Sequence, residues 1–152
     1  MITKISPIDV QVAQAMQAQL KEVGIEMEIE QAEGARHLKV MLDHDYEANY
    51  GLWSGYPAPD TNLYRQFHPK GSAQWTGYNH PLVTELLDKA RATLNQAEAQ
   101  KYYAEALDII IREAPQVWVY YYPRRTALNA KIQDFVPYPD GKLRLKNIWL
   151  ED

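Results

Sequence analysis

The strongest chemical constellation in this chain is the run Trp53-Ser54-Gly55-Tyr56-Pro57-Ala58-Pro59-Asp60. Tryptophan and tyrosine join a large apolar surface to a polar tip, which suits contact with a bound molecule. Ser54 adds a hydroxyl, and Gly55 lets a ligand approach the backbone. The prolines fix a non-regular loop. The run follows an extended segment and precedes a helical one, and in open α/β sheets that edge is where ligands bind. The same pattern serves equally for a core tryptophan followed by a proline-shaped turn.

Catalytic patterns are weaker. Ser54 stands between glycines, but Gly51 lies three residues before it, so the spacing of a nucleophile elbow is missing. The four histidines, His37, His44, His68 and His80, are scattered and form no H-E-x-x-H pattern. Gly34, Gly51 and Gly55 are too isolated for a phosphate-cradling loop. Asp43-His44-Asp45 could contribute to a metal site only with a further distant ligand, and it reads as a polar turn. No cysteine is present, which excludes thiol nucleophiles, disulfides and Cys-type zinc sites. The expectation is a binding protein and not an enzyme, with no metal site and no cofactor.

The elements that must position the loop are legible from periodicity. Residues 2–5 read as a strand, ended by Ser6-Pro7, with Asp9 as the cap of the next helix. Val12, Met16, Leu20 and Val23 recur at helical spacing, and Gly24 stops that helix. Residues 25–30 alternate apolar and acidic side chains, so they read as a strand whose wet face carries Glu26, Glu28 and Glu30. A helix over 35–42 would turn Leu38, Met41 and Leu42 inward, and 46–53 reads as a strand. A short helix over 61–67 would be capped by Asp60. Pro81 opens a helix that buries Val83, Leu86, Leu87, Ala90 and Leu94. Asn95 and Glu98 have capping-box spacing before a long helix with Tyr103, Leu107, Ile110 and Ile111 inward, ended by Pro115. Residues 117–122 are apolar on both faces, as in a buried strand, with 126–130 as a candidate partner. Residues 143–150 close the chain. Alternating strands and helices make the class α/β.

The 152 residues suit one domain with a sizeable core. A net charge of -4 argues against nucleic-acid partners, although residues 124–146 are locally basic. No apolar run reaches the roughly 20 residues that span a bilayer. Met1-Ile2-Thr3-Lys4 lacks the apolar core of a signal peptide.

Five segments in order carry a resemblance. They are Ala15 through Ile25, Leu52-Trp53-Ser54-Gly55 through Pro59-Asp60, Gly77-Tyr78-Asn79-His80-Pro81, Glu113-Ala114-Pro115, and Phe135-Val136-Pro137 with Trp149-Leu150. Together they resemble the C-terminal part of the family 5 extracellular solute-binding proteins, the dipeptide, oligopeptide, nickel and glutathione binding group. The resemblance implies a lobe of the type II periplasmic-binding class, a mixed sheet flanked by helices, with residues 1–152 forming one lobe only. It implies a small peptide or peptide-like solute as ligand, held by Trp53, Ser54, Gly55, Tyr56 and Asp60. It also implies ABC permease subunits as membrane partners, a missing N-terminal lobe, and a periplasmic or other extracytoplasmic location for the full-length protein. The exposed former interface could drive self-association of the lobe. One departure stands out. Peptide binders of this family carry an aspartate after W-S-G that pairs with the ligand's α-amino group, whereas here Tyr56 follows Gly55 directly. The alternative reading is a stand-alone interaction or regulatory domain that reuses the lobe.

Overall fold

The computed structural model describes residues 1–53, 56–121, 123, 125–138 and 140–151. The amino-terminal part is a β-α-β unit. Strand β1 (Ile2–Lys4) leads into helix α1 (Pro7–Glu22), which returns to strand β2 (Glu30–Ala32). The two strands are parallel, with Ile2 opposite Glu30 and Lys4 opposite Ala32. On the other edge of β1, Ile2 makes a parallel bridge with Asn49. The Ile2 N–H donates to the Ala48 carbonyl at 2.9 Å, and the Tyr50 N–H donates to the Ile2 carbonyl at 3.1 Å.

Helix α1 begins earlier than its cap signal suggested. Ser6 occupies the N-cap and Pro7 the first turn, because proline's fixed φ suits a helix start and its missing N–H costs nothing there. Asp9 therefore lies inside the first turn, where a carboxylate still favours the positive end of the helix dipole. The carboxyl end is a Schellman motif. Gly24 adopts φ 83°, its N–H donates to the Lys21 carbonyl, and the Ile25 N–H donates to the Leu20 carbonyl.

Helix α2 (Gly34–Asp43) buries His37 and Met41 on one face. Leu38 and Leu42, expected inside, are exposed. The expected strand over 25–30 is reduced to Glu30–Ala32, and that over 46–53 to the bridge at Asn49. Alternation supplies an amphipathic strip, but a strand also needs a partner with free backbone groups.

Helices α3 (Pro59–Phe67), α4 (Pro81–Ala92) and α5 (Gln96–Glu113) hold the main core. Phe67, Val83, Leu86, Leu87, Ala106 and Ile110 are buried together, with Leu63, Tyr64 and Tyr78 packed against them. Asn95 caps α5 as expected: its Oδ1 accepts from the N–H groups of Ala97 and Glu98 at 3.0 and 3.3 Å. The box is not reciprocal, since the Glu98 carboxylate accepts from the Thr93 hydroxyl at 2.7 Å. Leu94, Leu107 and Ile111 are exposed, so the buried stripe of α5 is the narrower pair Ala106 and Ile110.

The expected buried strand at 117–122 is not a strand among its described residues. Val117, Trp118, Val119 and Tyr121 are exposed, and 126–130 form no ladder either. Tyr122 lies outside the described residues. A short antiparallel pair, β3 (Ile132–Gln133) with β4 (Trp149–Leu150), closes the chain. No helix is long and apolar enough to cross a membrane among the described residues.

Candidate functional site

The loop that the sequence singles out runs from the β1 edge to the start of α3. Asn49 fixes its root. The Asn49 Oδ1 pairs with Nε2 of the buried His37 at 2.6 Å, and its backbone neighbours bridge to Ile2. Pro59 begins α3, with Ala58 at the N-cap and no side-chain cap bond.

One residue of α3 shapes the loop. The Asn62 Oδ1 accepts from the Trp53 indole N–H at 3.1 Å and from the Tyr56 backbone N–H at 2.9 Å. Its Nδ2 donates to the carbonyls of Tyr56 at 2.6 Å and Ala58 at 3.2 Å. A single carboxamide thus satisfies four groups that a loop would otherwise leave to water. Sequence reasoning passed over Asn62, because a mid-helix asparagine carries no signal until the loop folds back on it.

The result is an aromatic rim. Trp53 is half-buried, and Tyr56 stands 6.2 Å away with its ring at 61°. Trp75, from the loop after α3, meets Trp53 edge-on at 5.5 Å and 75°. The Tyr46 hydroxyl donates to the Trp75 carbonyl, tying the two loops together. The shielded indole N–H of Trp75 has no acceptor among the described residues.

Two cations complete the rim. The Arg65 guanidinium lies 5.4 Å from the Trp53 ring centroid and 5.3 Å from that of Tyr56. The Lys142 ammonium lies 5.4 Å from the Tyr56 centroid. All three distances fall within cation–π range. Arg65 is positioned from behind: its Nε donates to the Ser72 hydroxyl at 3.0 Å, and its carbonyl accepts from the Ala73 N–H at 2.9 Å. Gly71 makes that turn possible, because a Cβ there would sit 2.4 Å from the Arg65 carbonyl oxygen. Neither Arg65 nor Lys142 was expected at the site, since they lie 12 and 89 residues beyond Trp53 by residue number.

Asp60, expected as a cap and as a ligand contact, lies in the first turn of α3 and faces the core helices. Its Oδ1 pairs with Arg91 Nε on α4 at 3.1 Å and accepts a long bond from the Tyr103 hydroxyl on α5 at 3.5 Å. The Arg91 guanidinium also stacks on Tyr64 at 3.9 Å. Burial, and then the Asp60 carboxylate, push the Tyr103 phenol above its ordinary pKa. Ser54 and Gly55 lie outside the described residues. Of the expected contacts, the structure brings Trp53 and Tyr56 together and pairs Asp60 with Arg91.

No group of three or more His, Asp or Glu side chains is placed to hold a metal ion among the described residues. The shallow clefts elsewhere, one beside Ile5 and Val10 and one beside His80 and Glu113, do not include the aromatic rim. The rim is an open surface, able to stack against a solute but not to enclose one.

The chain is similar to known proteins in sequence and in fold. Residues 1–74 match the model of the bacterial extracellular solute-binding proteins, family 5 middle region. A probable D,D-dipeptide-binding periplasmic protein of Escherichia coli is 27% identical over 132 residues, covering 84% of this chain and 26% of the relative. The periplasmic binding protein DppA of Helicobacter pylori, solved with the peptide STSA, superposes with a TM-score of 0.69 and is 26% identical, over 75% of this chain and 23% of that one. The oligopeptide-binding protein AppA of Bacillus subtilis, solved with a nonapeptide, superposes with a TM-score of 0.82 over 99% of this chain and 31% of that one, at 22% identity. The fold is thus that of part of a type II periplasmic binding protein. The chain spans about a quarter of the length of the curated relative it matches.

Proposed function

From this chain's kinship with the bacterial family 5 extracellular solute-binding proteins, we propose that it supplies the C-terminal, ligand-contacting lobe of a binding protein for peptides or peptide-like solutes. The longer protein works outside the cytoplasm and delivers its solute to an ABC permease. It acts by binding and release, without catalysis.

The observation that carries this reading is the Trp53–Tyr56 rim held by Asn62. Three aromatic side chains, with the Trp53 indole and the Tyr56 backbone both bonded to one carboxamide, form a surface preorganised for stacking, which lowers the entropic cost of binding. Trp53, Ser54, Gly55 and Tyr56 contact the solute in this account. Asp60 ties the start of α3 to α4 through Arg91.

The lobe reading draws on two further facts. The chain matches 26% of its curated relative and 31% of the AppA chain. In addition, Val117, Trp118, Val119 and Tyr121 expose apolar surface of the kind proteins cover.

Native mass spectrometry of the full-length protein tests the proposal. Release of peptide-mass solutes from the purified protein supports it. A protein that carries no solute and captures nothing from a tetrapeptide library contradicts it.

A further inference from the structure

We infer that the solute presents a carboxylate to this loop, the C-terminal carboxylate in the case of a peptide, and that Arg65 and Lys142 receive it beside Tyr56. The inference rests on the binding reading above and deepens it.

The charges around the rim are one-sided. Between Trp53 and Asn62 the only acid is Asp60, and it is paired with Arg91 at 3.1 Å. Near Lys142 the nearest acid in sequence is Asp140, which Arg144 holds through two bonds of 2.8 and 2.6 Å. Both carboxylates are therefore already committed to other cations.

Arg65 and Lys142 are the two cations at the rim. Arg36, Arg91, Arg112 and Arg144 each pair with a carboxylate, as do Lys39 and Lys89. Among the described residues, Arg65 and Lys142 pair with none, although both approach the same Tyr56 ring. The ring quadrupole attracts each cation but supplies no counter-anion. A carboxylate beside the ring gains charge-assisted hydrogen bonds from them. Arg65 is suited to the task. Ser72 occupies its Nε, which leaves the terminal nitrogens as a fork matching a carboxylate. An α-ammonium at the same place would meet two cations.

The test uses the full-length protein and a tetrapeptide library of Ala, Val, Leu and Ser, prepared with free ends, N-acetylated, C-amidated, and blocked at both ends. C-amidation is expected to weaken capture by about tenfold or more, and N-acetylation by less than about threefold. Arg65→Gln and Lys142→Gln should each weaken capture of free peptides more than that of amidated ones, shrinking the difference between the two. Lys142 is exposed, so K142Q keeps the fold even if R65Q loosens the rim. Equal capture of free and amidated peptides, or a stronger penalty for N-acetylation, overturns the inference and leaves the binding function standing. Capture of none of the four overturns both.

Discussion

The indole N–H of Trp53 donates to the Oδ1 of Asn62 at 3.1 Å, joining the half-buried ring of the loop to the middle of helix α3. The same oxygen accepts from Tyr56. One side chain therefore holds both the Trp53 ring and the Tyr56 backbone.

Replacing that side chain should release both rings. Asn62→Ala leaves the Trp53 indole and the Tyr56 backbone groups without protein partners, at a cost of about 1–3 kcal/mol. Near-ultraviolet circular dichroism should lose tryptophan signal while the far-ultraviolet spectrum is kept. An unchanged near-ultraviolet spectrum would show that the rim holds itself.

Asp60 offers the opposite profile. Its pair with Arg91 is partly exposed, so Asp60→Asn should lower stability by no more than about 1 kcal/mol. Solute affinity should change by less than about threefold, because the carboxylate faces α4 and α5. A large affinity loss without a stability loss in titration and melting experiments would place Asp60 in contact with the solute.

Two glycines of the same chain should respond with opposite sign. Gly71→Ala drives a methyl group to 2.4 Å from the Arg65 carbonyl oxygen and 2.5 Å from that of Tyr64, so it should cost about 1–3 kcal/mol. At Gly34, the first residue of α2, an added Cβ meets nothing within 4 Å. Gly34→Ala should stabilise by about 0.5 kcal/mol, by narrowing the unfolded ensemble. Urea melts of the two variants check both signs.

The Asp140 turn should be sensitive to acid. Arg144, followed by the Lys142 backbone N–H, holds the Asp140 carboxyl well below the usual carboxylate range. A depressed native pKa gives stability that is present above the unfolded value of about 3.9 and is lost as pH falls through the native value. The Asp140 carboxylate resonance should therefore stay unshifted through pH 4 by NMR, and Arg144→Gln should restore an ordinary titration. An ordinary titration in the unmodified protein would remove this support for the Lys142 loop.

Most helices were readable from the sequence because each declares itself locally. Apolar side chains recur at helical spacing, Pro81 begins α4, Asn95 caps α5 and Gly24 ends α1. The strands were less readable, because a strand is defined by its neighbour. Residues 25–29 and 117–121 have the right composition, yet nothing in the described chain pairs with them as a ladder. The site divides in the same way. Trp53 and Tyr56 lie in one contiguous motif and were found there. Asn62, Arg65, Trp75 and Lys142 join it only through folding, and Asp60 has an N-cap residue's type without its position.

The central claim is that the aromatic rim binds the transported solute, and Trp53→Ala in the full-length protein tests it most directly. Calorimetric titration with the tetrapeptide that the wild-type protein captures best, at a temperature where both proteins are folded, should show binding weakened by about 1–3 kcal/mol. Affinity equal to that of the wild-type protein would contradict the account.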